Sequence, residues 1–152
     1  MKAYLAGPWG FDSAGKKYMD EEVIPKLGKI QNLEILNPWE LTPKDVIKNN
    51  PEKTALKIIY NNNIKAIKES NFIIAVLNGP QVDDGTAFEL GYAAALGKKI
   101  IPYKDDWRTA CKDGKDNEFN LMIDVPILKP VIKDVNELVR RVTEFVNLEK
   151  KK

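Results

Sequence analysis

Two kinds of hydrophobic pattern alternate along the chain. Short apolar runs, dense enough for strands covered on both faces, occur at Lys2–Ala6, Leu33–Leu36, Phe72–Leu77 and Lys99–Tyr103. Between them the apolar residues return at helical spacing. Ser13–Leu27 is polar and periodic with Gly28 near its stop, and Glu52–Glu69 carries Ala55, Ile58, Ile59, Ile64 and Ile67 at helical intervals. Thr86–Leu96 is an alanine-rich helix stopped at Gly97, and Val135–Leu148 is a closing helix. Pro43–Asn50 reads as a loop or short helix, Asp105–Phe119 as a polar surface loop, and Val125–Ile132 as a last short strand interrupted by prolines.

Strand and helix in alternation imply parallel strands joined by crossovers. The pattern predicts an α/β fold: a three-layer, doubly wound sandwich of flavodoxin-like or Rossmann-like type with a parallel five-stranded sheet. No repeat or linker divides the 152 residues. A single domain is expected over 1–148, with a charged tail at 149–152. Ligands of such sheets bind outside the carboxyl ends of the strands. That rule directs attention to Gly7–Phe11, to Asn78–Glu89 and to the region after Tyr103.

Composition narrows the chemistry. Hydrophobic residues make up 43% and charged residues 30%, a globular balance, and the formal net charge is only +2. No strong field therefore selects nucleic acid or an anionic membrane. Arg108, Arg140 and Arg141 are the only arginines, few for a protein that grips phosphate. The apolar run in Met1–Gly10 is too short for a signal-peptide core and reads as a buried strand. No stretch approaches the roughly 20 apolar residues of a membrane span. The single cysteine, Cys111, cannot form an internal disulfide, and a cytoplasmic location is expected. The chain has no histidine, which removes Ser-His-Asp and Cys-His catalysis and most zinc sites. Acid, base and nucleophile would have to come mostly from carboxylates, lysines, tyrosines or water.

The segment from Asn78 to Lys98 follows a buried strand and opens a helix. It brings Asp83, Asp84 and Glu89 close together. Mutual repulsion and partial burial can hold one carboxyl protonated beside an ionised one, and the helix dipole favours an ionised Glu89. Such a pair can break a glycosidic bond through a covalent intermediate. Taken alone, Thr86–Glu89 also fits a capping box, and Asp83-Asp84-Gly85 a plain turn. After the first strand, Gly7 and Gly10 give an open loop in which Trp9 and Phe11 can stack on a flat ring or simply anchor the loop. It is not a phosphate loop. Tyr60-Asn61-Asn62-Asn63 places three amides within a helix, where they are poor formers, so either a solvated face or a ligand contact is expected.

In order along the chain, YLAGP with its following aromatics, YNNN, the buried strand, DDGTAFELGYAAALGK and NLM resemble the nucleoside 2-deoxyribosyltransferase family. The resemblance implies that Glu89 attacks C1 of the sugar, that Tyr4 positions it, and that Asp83 contacts the base and supplies its proton. It implies that Trp9 and Phe11 flank the base, and that Asn120 reaches a neighbouring subunit's site to bind the sugar 5-hydroxyl. It further implies nucleosides and nucleobases as the small-molecule partners, no metal or organic cofactor, and a homo-oligomer built from dimers, up to a hexamer. One position departs from the family pattern: members carry an aspartate near the base where this chain has Asn63. An amide donates and accepts hydrogen bonds but cannot deliver a proton. The acid role then falls to Asp83, alone or shared with Asp84.

The expected reaction is transfer of 2-deoxyribose between bases by double displacement. Two alternatives stay open. An N-glycosidase of deoxynucleoside 5-monophosphates would want serines and arginines after the first strand, where this chain has Ser13, Lys16 and Lys17. A non-catalytic nucleotide-sensing module would use Glu89 only as a cap.

Overall fold

The computed structural model describes residues 1–108 and 119–151. Cys111 and most of the loop expected over Asp105–Phe119 lie outside the described residues. The elements follow in the order β1 (Lys2–Ala6), α1 (Ser13–Tyr18), a π-helical turn (Met19–Val23), α2 (Ile24–Leu27), β2 (Glu34–Leu36) and α3 (Lys44–Asn49). Then come α4 (Glu52–Glu69), β3 (Phe72–Val76), α5 (Asp84–Ala95), β4 (Lys99–Tyr103), α6 (Leu121–Asp124) and α7 (Val135–Glu149). The π turn comes just ahead of Pro25, whose ring cannot sit against the carbonyl four residues earlier in a regular α-helix. No helix among the described residues is long and apolar enough to cross a membrane.

The sheet has four parallel strands in the order β2-β1-β3-β4. All five residues of β3 are buried, as its unbroken apolar run requires. The period of two along each strand sorts the core into halves. Ala3, Leu5, Phe72, Ile74 and Val76 pack toward Met19, Val23, Leu138 and Val142 of the α1–α2 segment and α7. Tyr4, Ala6, Ile73 and Ala75 pack toward Ala66 and Ile67 of α4 and Leu90 and Ala93 of α5. The three-layer sandwich is thus present, and Tyr4 is committed to the face that α5 covers.

The expected fifth strand is not formed. Val125–Ile132 touches β4 at two isolated parallel bridges among the described residues, Ile100–Ile127 and Tyr103–Ile132. Leu128 N–H donates to Ile100 O, and Ile132 N–H to Pro102 O. Pro126 and Pro130 have no N–H to give, so a continuous ladder cannot run through this segment.

From β1 the chain winds outward to β2, then returns past β1 to β3 and β4. The switch point between β1 and β3 opens a crevice at the carboxyl ends of the strands. Gly7 lies at this point with φ +156, and a Cβ there would fall 2.5 Å from Val76 Cβ. The close approach of the two strand ends depends on that missing side chain.

Candidate active site

Glu89 and Tyr4 meet because one faces the sheet from α5 and the other faces α5 from the sheet. Tyr4 is fully buried, and its hydroxyl donates to Glu89 Oε1 at 2.5 Å. Among the described residues, no hydrogen bond engages the other carboxylate oxygen. Burial, followed by the charge and hydrogen-bond acceptance of Glu89, pushes the Tyr4 phenol well above its ordinary value. Tyr4 therefore remains a donor at any working pH.

α5 begins at Asp84, two residues ahead of the expected start. Asp83 is its cap: Oδ2 accepts from the Thr86 N–H at 2.8 Å and from the Thr86 hydroxyl at 2.9 Å. Asp83, Asp84 and Thr86 are all capable caps, and the earliest of them wins. Glu89 consequently sits in the second turn and bonds Tyr4, not a backbone N–H, so the capping-box reading does not hold. The dipole fades beyond the first turn and does not govern this carboxyl. Burial does. It raises the Glu89 pKa to about 7, against the lowering effect of the Tyr4 hydrogen bond and with a further rise from the charge of Asp83.

These groups line a cleft of about 280 Å³ with Gly7, Phe11, Pro38, Trp39, Ile59, Asn63, Gly85 and Thr86. The volume is close to the lower end for small-molecule sites. Asn63 Oδ1 is buried and has no hydrogen-bond partner among the described residues. A buried acceptor left open in a cleft is what a ligand N–H or O–H would satisfy. The other amides of the YNNN run divide the work: Asn61 faces solvent, while Asn62 Nδ2 donates to Thr42 Oγ1 at 2.9 Å. No group of three His, Cys, Asp or Glu side chains able to hold a metal ion occurs among the described residues.

Of the residues expected from the sequence, Gly7, Phe11, Asn63, Asp83 and Glu89 come together here, with Tyr4 beneath. Trp9, Asp84 and Asn120 do not line the cleft. Trp9 is 6% exposed and packs edge-on to Tyr18 and Tyr103 at centroid distances of 5.5 and 5.4 Å. It belongs to the core on the opposite face of the sheet. Asp84 is exposed, and its Oδ1 accepts from Gly85 N–H at 2.8 Å. Asn120 caps α6 by accepting from Met122 N–H at 3.0 Å. It lies in a separate hollow of about 440 Å³ with Val82, Ala87, Gly91 and Phe119.

Sequence reasoning missed Trp39. The signal was present: Asn37-Pro38-Trp39 follows β2 at the same carboxyl edge that drew attention to the loops after the other strands.

Comparison with known proteins bears on the fold and the family. The chain is 30% identical to an uncharacterised protein of Ureaplasma parvum, over 71% of this chain and 72% of that one. It superposes on a 2-deoxyribosyltransferase from Leishmania mexicana with a TM-score of 0.68 and 29% identity, covering 94% of this chain and 97% of the other. A 2-deoxyribosyltransferase from Bacillus psychrosaccharolyticus gives 0.68 at 23% identity, covering 91% and 90%. A CMP N-glycosidase from Clostridium botulinum gives 0.58 at 21%, covering 93% and 98%. These two share the fold. The family model described as nucleoside 2-deoxyribosyltransferase matches residues 3–122, a span that begins just before Tyr4 and encloses Asp83, Glu89 and Asn120. With that match and the Tyr4–Glu89 pair set in a cleft at the switch point, the chain belongs to the nucleoside 2-deoxyribosyltransferase family.

Proposed function

We propose that this chain moves 2-deoxyribose from one nucleobase to another through an ester on Glu89. Family membership and fold support an enzyme of N-glycosidic bonds, acting by deoxyribosyl transfer or by N-glycosidic cleavage. The observation that carries the transferase reading is the Tyr4–Glu89 hydrogen bond. It fixes a carboxylate in a cleft, leaves one oxygen open, and has no capping role that would explain it away.

In the first half-reaction a Glu89 oxygen attacks the anomeric carbon as the C–N bond breaks. The departing base keeps the bond's electron pair and takes a proton from Asp83. In the second, an incoming base attacks the same carbon, the ester bond breaks, and the proton displaced from that base returns to Asp83. Two inversions give net retention, and the kinetics are ping-pong. Deoxyribose lacks the 2-hydroxyl that would destabilise a cation-like transition state, so ribonucleosides react more slowly.

Free nucleosides are favoured over 5-monophosphates. Lys16 and Lys17 face outward from α1, paired with Asp20 at 2.6 Å and Glu21 at 3.9 Å, and neither lines the cleft. Asn120 completes the cleft of a second copy rather than its own. Phe88, Leu121, Met122 and Val125 are exposed and offer that copy an apolar surface on the α5–α6 side.

The direct test incubates the protein with deoxyinosine, with and without adenine. Deoxyadenosine formed only when adenine is present, with parallel double-reciprocal plots, supports transfer. Release of hypoxanthine that adenine does not divert makes the enzyme a hydrolase.

Tyr4→Phe provides a second expectation. The nucleophile must be ionised and the acid protonated, so kcat/KM rises with pH along an acid limb set by the Glu89 pKa of about 7 and falls again once the acid has lost its proton. Loss of the Tyr4 hydrogen bond removes an influence that lowers this pKa. The acid limb of the Tyr4→Phe profile should move to higher pH, with a larger rate loss at pH 6 than at pH 8. A parallel drop at every pH would contradict this account.

A further inference from the structure

We propose that Trp39 is the plate on which the nucleobase stacks, and that Gly10 sets its position. The inference rests on reading the cleft as a nucleoside site.

The chain leaves β2 through a tied turn. Glu40 N–H donates to Asn37 O at 2.9 Å, and Trp39 N–H donates to the Asn37 side chain at 3.2 Å. Asparagine at the first position and proline at the second are the residues that such a turn prefers. Two residues on, Asn62 of α4 donates to Leu41 O and to Thr42 Oγ1, fixing the exit of the loop. Trp39 therefore stands on a constrained frame, yet it is 39% exposed in the wall of the cleft.

Its indole takes the space that a side chain at position 10 would occupy. A Cβ on Gly10 would fall 1.9 Å from Trp39 Cε2 and 2.2 Å from Cδ2. The aromatic ring of Phe11 meets Trp39 at a centroid distance of 5.0 Å and an interplanar angle of 88°, forming a corner of two rings. The same cleft holds the unpaired Asn63 Oδ1. An aromatic wall beside an unpaired acceptor suits a flat heterocycle with an N–H at its edge, because the π face and the edge are satisfied together. The indole is bicyclic and overlaps a purine more fully than a pyrimidine. Trp39 thus sets base preference, and Gly10 is a positioning residue that acts through it.

The test compares the parent protein with Trp39→Phe, Trp39→Ala, Gly10→Ala and the Gly10→Ala/Trp39→Ala double variant. Free adenine should quench tryptophan emission in the parent, and the quench should vanish in Trp39→Phe while affinity largely survives. In Trp39→Ala the KM for deoxyinosine should rise about ten- to hundredfold, that for thymidine less, with kcat changed little. Gly10→Ala should reproduce this shift and add nothing in the Trp39→Ala background. Normal turnover with an unchanged KM in Trp39→Ala overturns the plate and leaves the reading of the site standing. Equal shifts for both donors overturn the role in base preference. A further loss in the double variant overturns the role of Gly10. A parent protein that neither turns over these donors nor is quenched by adenine overturns both the plate and the reading beneath it.

Discussion

In Glu89→Gln, base exchange is expected to fall about a thousandfold or more, corresponding to about 4 kcal/mol of lost transition-state stabilisation. Glutamine keeps the size of the side chain and an oxygen to accept from Tyr4 Oη, so the cleft should keep its shape. What disappears is the ionised oxygen that bonds to the anomeric carbon. The check is the initial rate of deoxyadenosine formation from deoxyinosine and adenine. It is paired with mass analysis of acid-quenched protein after exposure to donor alone. The parent should carry one added deoxyribosyl mass on the peptide containing Glu89, and Glu89→Gln none. A variant that stays within tenfold of the parent would remove Glu89 from the chemistry and overturn the covalent route, since exchange would then proceed in the same cleft without this carboxylate.

What could be read in advance depended on how locally each feature is determined. The apolar run of β3 is buried on both faces whatever surrounds it, whereas the pairing of Tyr4 with Glu89 was implied only by the family resemblance, and the period of two along β1 explains afterwards why Tyr4 meets α5. The start of α5 was less legible because Asp83, Asp84 and Thr86 can each cap, and only the observed bonds from Thr86 to Asp83 decide among them. Trp9 and Trp39 show where local reading stops. Both are tryptophans in loops at the carboxyl edge of the sheet. Trp9 turns inward because Tyr18 of the following helix and Tyr103, remote in sequence, close around it. Trp39 turns to the cleft because the Asn37 turn and the space left by Gly10 hold it there. The fifth strand failed for a reason already visible, the two prolines, whose cost to a ladder outweighed the apolar character of Val125–Ile132.

The buried nucleophile should also make stability depend on pH in a direction opposite to that of an ordinary surface carboxylate. The Glu89 pKa is about 7 in the fold against an ordinary value of 4.5. Between these values the native state holds a proton that the unfolded chain releases, so stability falls as pH rises through the window. Below 4.5 both states are protonated and the effect is absent; above 7 both are ionised and the deficit is complete, with a ceiling of about 3 kcal/mol before the partial exposure of Glu89 is allowed for. Glu89→Gln carries no charge to bury. It should melt at the parent's temperature near pH 4 and several degrees above it at pH 8, since about 1 kcal/mol shifts the melting of a chain this size by roughly 2–4 °C. Thermal melts of both proteins at the two pH values measure the difference, and equal melting at pH 8 would mean that burial does not strain this carboxylate. The same strain bears on the reaction. Esterification neutralises Glu89, so the desolvation that raises its pKa also favours the deoxyribosyl ester over the free carboxylate. At pH 8, protein held as the ester by withholding the acceptor base should therefore melt above the free enzyme.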